Sequence, residues 1–255
     1  MPEKQHQSTM TMIDHIRELR KRLVFSILSV VFTTIICFVF SDSIVDVLFY
    51  PFRQLENLGS GKTLYINSVF EGFAIKVKIA LAAGFIAAFP VILYQVLRFI
   101  FPGLKKGERR VILYSLVASS ILLPFGFYYG YYLIIPLSVQ FLTSKGFIPQ
   151  DVGILLNYSQ NIFIILQFIM AFIVVFQLPV VLIILMKMNI LSRKFLFKSS
   201  RFFIVAMFAL AAIITPPDVV SQVTVALPLI GLFFLALLIA RVFKLGESSE
   251  DKEEE

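Results

Sequence analysis

Two carboxylates lie inside strongly basic segments that adjoin long apolar runs. Glu18 belongs to DHIRELRKR, residues 14–22, and Glu108 belongs to KKGERR, residues 105–110. On a helix, Glu18 is four residues from Arg22, the spacing of a stabilising ion pair. The chemistry available to such carboxylates is ion pairing with a cation. Taken alone, each is also explained by an ordinary surface salt bridge or loop charge.

The apolar runs contain only two residues of the types needed for catalysis or metal binding, Cys37 and Asp218. Both histidines, His6 and His15, precede the first run, and the only cysteine is Cys37. One cysteine can form neither a disulfide framework nor a cysteine metal site. Apart from Asp218, the apolar runs hold no carboxylate, which excludes a protease with an aspartate pair in the membrane. We therefore predict no enzyme activity, no cofactor and no metal.

The segment GSGKT at residues 59–63 is similar to the end of a phosphate-binding loop. The full motif needs a glycine five residues before its second glycine, and Glu56 occupies that position. The segment is therefore predicted to be a turn.

The composition is typical of a membrane protein. Of the 255 residues, 58% are hydrophobic and 15% are charged, whereas soluble domains have about 25% charged residues. The net charge is +7, but the basic residues form short clusters between uncharged runs instead of the continuous basic surface of a nucleic-acid-binding protein. We expect the partner to be a lipid bilayer and expect no nucleic acid.

The apolar runs predict an all-α bundle with six transmembrane helices, since one span needs roughly 20 apolar residues. The predicted spans are residues 23–41, 73–99, 111–135, 158–186, 202–215 and 220–240. The proline pair at 216–217 separates the last two. The fifth span is short, which favours local bilayer thinning or a partner there. Residues 1–245 are predicted to form one domain, and 246–255 a disordered acidic tail.

The basic residues also predict the orientation. Of the 23 Lys and Arg residues, 18 lie in the N-terminal segment, the second and fourth loops and the C-terminal segment. Because basic residues mark the cytoplasmic side of a membrane protein, both termini are predicted to be cytoplasmic.

Five short motifs occur in order between residues 12 and 241. They are HIRELRKR at 15–22, PVILYQ at 90–95, ERR at 108–110, PV at 179–180 and TPPDVVSQ at 215–222. With the six predicted spans, they resemble the TatC family, the central subunit of the twin-arginine protein translocase. The resemblance implies a receptor for folded proteins that carry twin-arginine signal peptides, in the cytoplasmic (inner) membrane of a prokaryote. It also implies single-span TatA- and TatB-like partners, self-association and use of the proton-motive force.

The resemblance assigns the signal-peptide site to residues on the cytoplasmic side. It implies that Glu18 and Glu108 receive the arginine pair of the peptide, with Arg20, Arg22 and Arg109 orienting the carboxylates. The planar fork of a guanidinium binds a carboxylate through two parallel hydrogen bonds, which lysine cannot reproduce.

Other positions match the family with structural or partner-binding roles. Pro51 and Phe70 match periplasmic positions, and Pro179 matches the fourth span. Asp218 and Gln222 match the last periplasmic turn, where Asp218 could equally cap the sixth helix.

Gln177 departs from the family pattern, which commonly has a glutamate just before Leu178-Pro179. An amide keeps the ability to form hydrogen bonds but cannot titrate. We therefore expect Gln177 to polarise the concave face of the bundle without carrying a charge.

Two other functions remain open on the sequence alone. An ion-coupled carrier usually has ionisable residues at mid-membrane depth, whereas the deepest polar residues here are neutral, such as Gln167 and Gln177. Saturable uptake into liposomes containing this chain alone would favour a small-solute carrier. Equal binding of twin-arginine and twin-lysine peptides would favour a structural membrane scaffold.

Overall fold

The computed structural model describes residues 12–56, 64–100, 106–142, 156–215, 219–243 and 245–246. These residues form ten α-helices, one π-helical segment and two very short strands. The helices are α1 (Met12–Val39), α2 (Ser41–Glu56), α3 (Val69–Ile100), α4 (Lys106–Tyr128), α5 (Ile135–Leu142), α6 (Tyr158–Val175), α7 (Leu178–Lys187), α8 (Arg193–Lys198), α9 (Ser200–Ile214) and α10 (Val219–Val242). The π-helical segment is Tyr129–Ile134, and the strands are β1 (Leu64–Tyr65) and β2 (Leu156–Asn157).

The architecture is that of an all-α, multi-pass membrane protein. Five helical stretches of the described residues are long and apolar enough to cross a bilayer: Ile13–Val39, Val69–Ile100, Leu113–Phe141, Tyr158–Lys187 and Val219–Val242. α9 is apolar but has only 15 residues. At about 1.5 Å per residue it covers roughly 22 Å of a hydrocarbon core about 30 Å thick. The count of six spans therefore stays a prediction.

The α6–α7 rod lies at the centre of the bundle and is broken in its middle. Eight residues of α6 and five of α7 are buried. Phe176 and Gln177 separate the two helices, and Pro179 lies at the start of α7. Proline has no N–H to donate to the carbonyl four residues earlier. The break therefore follows from the sequence, and the backbone N–H groups of Phe176 and Gln177 still donate hydrogen bonds, to the carbonyl oxygens of Phe172 and Val174.

Aromatic side chains and glycines fill the space between the centre and the helical rod made of α4, the π-helical segment and α5. The rings of Phe172 in α6 and Phe176 at the helix break have centroids 6.2 Å apart. A Cβ at Gly130 would lie 2.8 Å from the Phe172 ring, and one at Gly126 would lie 3.1 Å from Phe176. Gly130 therefore allows this close approach, and at Gly126 an added methyl group would require Phe176 to shift by a few tenths of an ångström.

α1 packs mainly along α3, and none of its residues in the apolar stretch Ile13–Val39 is buried. The closest approach is at Gly84, where an added Cβ would lie 2.6 Å from the backbone N and Cα atoms of Thr34. The Thr33 hydroxyl donates a 2.7 Å hydrogen bond to the Gly84 carbonyl oxygen. Small residues allow two membrane helices to meet at this distance.

Two tertiary contacts organise the end of the bundle at which α3 begins. β1 and β2 pair in parallel, with Leu64 opposite Leu156, so α3 and α6, which follow them, begin at the same end. Lys76 of α3 forms a 2.5 Å ion pair with Asp42 of α2. Lys76 is thus held by a carboxylate at the end of its span.

Part of the segment assigned to the acidic tail packs against the bundle. The Arg193 backbone N–H donates a 2.9 Å hydrogen bond to the Gly246 carbonyl oxygen. Gly246 has a φ of +66°, a left-handed conformation that glycine adopts without strain. Residues 247–255 lie outside the described residues.

Replacement of Gly84 by alanine is expected to destabilise the protein. The added methyl group would overlap the Thr34 backbone, which cannot move aside like a flexible side chain. Overpacking of this kind costs about 1–3 kcal/mol. We expect Gly84→Ala to lower the unfolding temperature of the purified protein in detergent.

Gly231→Ala is the matched control, because an added Cβ at this helical position meets no atom within 4 Å. It should leave the unfolding temperature unchanged or raise it, since alanine favours helix more than glycine. Equal stability of Gly84→Ala and Gly231→Ala would contradict the close α1–α3 contact.

Candidate functional site

A crevice of about 560 Å³ opens where the first turns of α1 meet the last turns of α3. Six of the described residues lining it are charged: Asp14, Arg17, Glu18, Lys21, Arg22 and Arg98. Phe25, Tyr94 and Gln95 complete the described lining. The crevice thus combines carboxylates, cations, an amide and aromatic rings at one end of the α1–α3 pair.

Glu18 and Arg22 form a partly buried ion pair within α1. Arg22 donates to the Oε1 atom of Glu18 from Nε, at 3.0 Å, and also from Nη2. Its Nη1 atom donates a 3.2 Å hydrogen bond to Oε1 of Gln95 on α3. The side chains of Glu18 and Arg22 are only 19% and 18% exposed. Arg22 therefore positions Glu18 and connects the carboxylate to the neighbouring helix.

Aromatic residues support the α3 side of the crevice. Arg98 donates a 3.0 Å hydrogen bond to the Tyr94 hydroxyl, and its guanidinium lies 5.7 Å from the centre of that ring. His15 of α1 stacks on Phe99 of α3 with ring centroids 4.4 Å apart. These contacts fix the ends of the two helices against each other.

The structure brings together only part of the predicted peptide site. Glu18 and Arg22 line the crevice, whereas Arg20 is exposed and is absent from the described lining. Glu108 and Arg109 lie in the first turn of α4, but their side chains are outside the described residues. Their part in the site stays a prediction.

Two of the predicted structural and partner positions, Phe70 and Gln222, lie away from the crevice. Phe70 is 84% exposed in the first turn of α3. Gln222 of α10 donates a 3.2 Å hydrogen bond from Nε2 to the Phe208 carbonyl oxygen of α9, joining the last two helices. Pro51 lies in α2 with its side chain outside the described residues, and Asp218 lies outside them altogether.

Gln177 is buried at the break between α6 and α7. Gln177 is only 5% exposed, and neither its Nε2 nor its Oε1 atom has a hydrogen-bond partner among the described residues. The expected polar group thus faces the interior of the chain. Pro179, also buried, starts α7 two residues later. An amide without partners in an apolar core is costly, which singles out this position.

On the α3 side of the crevice, sequence reasoning missed three residues: Tyr94, Gln95 and Arg98. Tyr94 and Gln95 lie in the PVILYQ motif, but nothing in that motif indicates that Gln95 bonds to Arg22, 73 residues earlier. Arg98 follows Tyr94 by four residues, the helical spacing that places the two side chains together. That spacing was the available signal.

The comparisons with known proteins identify the family. The sequence profile described as "Sec-independent protein translocase protein (TatC)" matches residues 14–228. The chain belongs to the TatC family. It is a component of a protein translocase system and a multi-pass protein of the bacterial inner membrane.

Individual relatives cover nearly the whole chain. A TatC protein of Carboxydothermus hydrogenoformans is 35% identical over 95% of this chain and 98% of its own length. One of Aquifex aeolicus is 34% identical over 91% of this chain and 95% of its own length. The crystal structure of a twin-arginine translocase receptor, TatC, in DDM has a TM-score of 0.75 and 34% identity, covering 92% of this chain and all of the other. The predicted family and all-α membrane fold are confirmed.

Replacement of Gln177 by leucine tests the cost of the buried amide. The change removes two polar atoms that lack partners, so we expect a higher unfolding temperature of the purified protein. An unmade hydrogen bond at a buried group costs about 1–3 kcal/mol. We also expect lower protein export in cells, because a polar group at the helix break is lost.

Gln167→Leu provides the matched control, since Gln167 is an exposed glutamine on α6. It should change neither the unfolding temperature nor export. An unchanged unfolding temperature of the Gln177→Leu protein would argue against an amide without hydrogen-bond partners at this position. Normal export by the same variant would exclude a role of the amide in transport.

Proposed function

We propose that this chain is the receptor of a twin-arginine translocase. It binds the signal peptides of folded proteins through their paired arginines, at Glu18 and Glu108. The role consists of recognition and assembly and requires no covalent chemistry. The arrangement of Glu18, Arg22 and Gln95 carries the proposal.

Glu18 already holds one guanidinium, that of Arg22, through one of its two oxygens. Both recorded hydrogen bonds from Arg22 end on Oε1, and among the described residues none is donated to Oε2. One oxygen therefore fixes the carboxylate while the other remains available. Charge-assisted bonds to a guanidinium are roughly twice as strong as bonds between neutral groups. An arginine entering the crevice can thus bind Glu18 without first displacing Arg22.

The position of Glu18 also suits selection between arginine and lysine. Its side chain is mostly buried but opens into a crevice of about 560 Å³, large enough for a guanidinium. A lysine ammonium is a compact, strongly hydrated charge and loses more on leaving water. Glu108 is proposed as the second carboxylate because α4 begins close to the end of α3 along the chain.

The same proposal includes partners and orientation. TatA- and TatB-like single-span subunits are proposed to assemble on this chain, with further copies of it, and to use the proton-motive force. Both termini are proposed to be cytoplasmic, in keeping with the 18 of 23 basic residues on that side. The parallel β1–β2 pair also supports this arrangement, because it requires α3 and α6 to start on one side of the membrane.

Removal of the two carboxylates is expected to weaken peptide recognition. In membranes containing Glu18→Ala, Glu108→Ala protein, site-specific crosslinking to a twin-arginine peptide should fall roughly ten- to a hundredfold, the effect of losing a hydrogen bond to a charged group. The unaltered protein should crosslink to a twin-arginine peptide in preference to a twin-lysine peptide.

Glu71→Gln is a suitable control, since Glu71 accepts a hydrogen bond from the Asn67 backbone N–H at the opposite end of α3. It should retain normal crosslinking. Undiminished crosslinking in the double alanine variant would refute the proposed site.

The orientation can be measured by thiol labelling in intact cells. With Cys37 replaced by alanine, a cysteine at Tyr65 should react with a membrane-impermeant maleimide, because Tyr65 is an exposed residue of β1 at the proposed outer end. A cysteine at Lys194 should react only after the cells are opened. The reverse pattern would place Glu18 outside the cell and exclude peptide binding there.

A further inference from the structure

The crevice beside Glu18 carries more positive than negative charge. Its described lining has four cationic side chains and two carboxylates. One carboxylate, Glu18, is already neutralised by Arg22. This excess is unfavourable for a site whose proposed ligand is itself a cation. An anion in the crevice would remove the conflict.

Three of the cations are available to such an anion. The recorded ion pairs among the described residues join Arg22 to Glu18 and Lys76 to Asp42, so Arg17 and Lys21 have no carboxylate partner there. Both are exposed. Arg98 is also exposed and has only the Tyr94 hydroxyl as its hydrogen-bond partner among these residues. The three side chains surround the crevice from both helices.

An apolar surface continues from the crevice toward the centre of the membrane. On α1, Phe25 follows Lys21 by one turn, and Leu28 and Phe32 continue on the same side at helical spacing. These side chains are 49%, 56% and 66% exposed. Val91 of α3, 43% exposed, lies one turn beyond Tyr94 and Gln95. A ligand held by the cations would thus have apolar contacts on its side toward the centre of the membrane.

We propose that the crevice binds one anionic phospholipid. The phosphate interacts with Arg17, Lys21 and Arg98, and an acyl chain lies along Phe25 and Leu28. Basic pockets between membrane helices bind anionic headgroups in this way. Charge complementarity identifies the occupant, since the cations need an anion and the adjoining apolar surface needs a chain.

The lipid and the proposed peptide would use different groups of the crevice. The headgroup takes the three cations without carboxylate partners, whereas the peptide takes the free oxygen of Glu18. By neutralising the cations, the phosphate would lower their repulsion of an arginine. Lipid binding itself does not depend on the peptide and can be measured in its absence.

The experiment compares lipids on the purified, delipidated protein by native mass spectrometry. The probes are dioleoylphosphatidylglycerol, which is anionic, and dioleoylphosphatidylcholine, which is zwitterionic with the same chains. We expect selective retention of the anionic lipid. Arg17→Gln, Arg98→Gln should weaken it about thirtyfold, the effect of two basic residues near an anionic headgroup. Arg193→Gln, Arg201→Gln is the control with the same loss of charge elsewhere and should bind normally.

Two further measurements complete the test. Glycerol phosphate, the headgroup without chains, should not displace the lipid at equal concentration. If it does, the crevice is a phosphate site and not a lipid site. Equal lipid retention by the Arg17→Gln, Arg98→Gln variant and its control, or no preference between the two lipids, would overturn the proposal. A crevice that binds the twin-arginine peptide but shows no lipid preference would be a site for peptide alone.

Discussion

The close contact between α1 and α3 is the constraint on which the site depends. α1 has little other support in the bundle, because it packs mainly on α3 and leaves its remaining faces exposed. Gly84 lets the two backbones meet, and the Thr33 hydroxyl fixes their register. That register places Arg22 opposite Gln95 and His15 opposite Phe99. The position of Glu18 follows from a contact about four helical turns away.

The broken α6–α7 rod forms the centre of the bundle. There, apolar packing is dense, with Phe172, Phe176 and Ile173 almost completely buried. Pro179 interrupts the backbone hydrogen bonding, and Gln177 brings an amide into the same place. In a bilayer such breaks are tolerated only where protein or water surrounds them. The core thus encloses the break and leaves the backbone hydrogen-bonded, whereas the Gln177 amide remains without partners among the described residues.

The sequence was sufficient for the class of protein and the identity of its main elements. Long uncharged runs predict membrane helices because hydrocarbon cannot satisfy backbone polar groups, and the proline pair at 216–217 predicts a division between α9 and α10. The Glu18–Arg22 ion pair also follows from spacing along one helix. These features can be predicted because each depends on residues that are close together along the chain.

Contacts between distant segments were beyond such reasoning. Nothing in the spacing of α1 residues indicates that Arg22 reaches Gln95, because that bond depends on how two helices pack. The π-helical segment and its close contact with Phe172 likewise depend on tertiary packing. Gln177 departs from the family pattern in the sequence, but its burial depends on the helices that pack around it.

The parallel pairing of β1 and β2 has a consequence for biosynthesis. Along the chain, β1 and β2 are separated by α3, α4, the π-helical segment and α5. During synthesis, α1 and α3 can associate as soon as both have entered the membrane, since they are near neighbours along the chain. The two strands, in contrast, can join only after β2 has been made. The bundle would therefore mature in two stages, with a preformed helix pair receiving the central rod later.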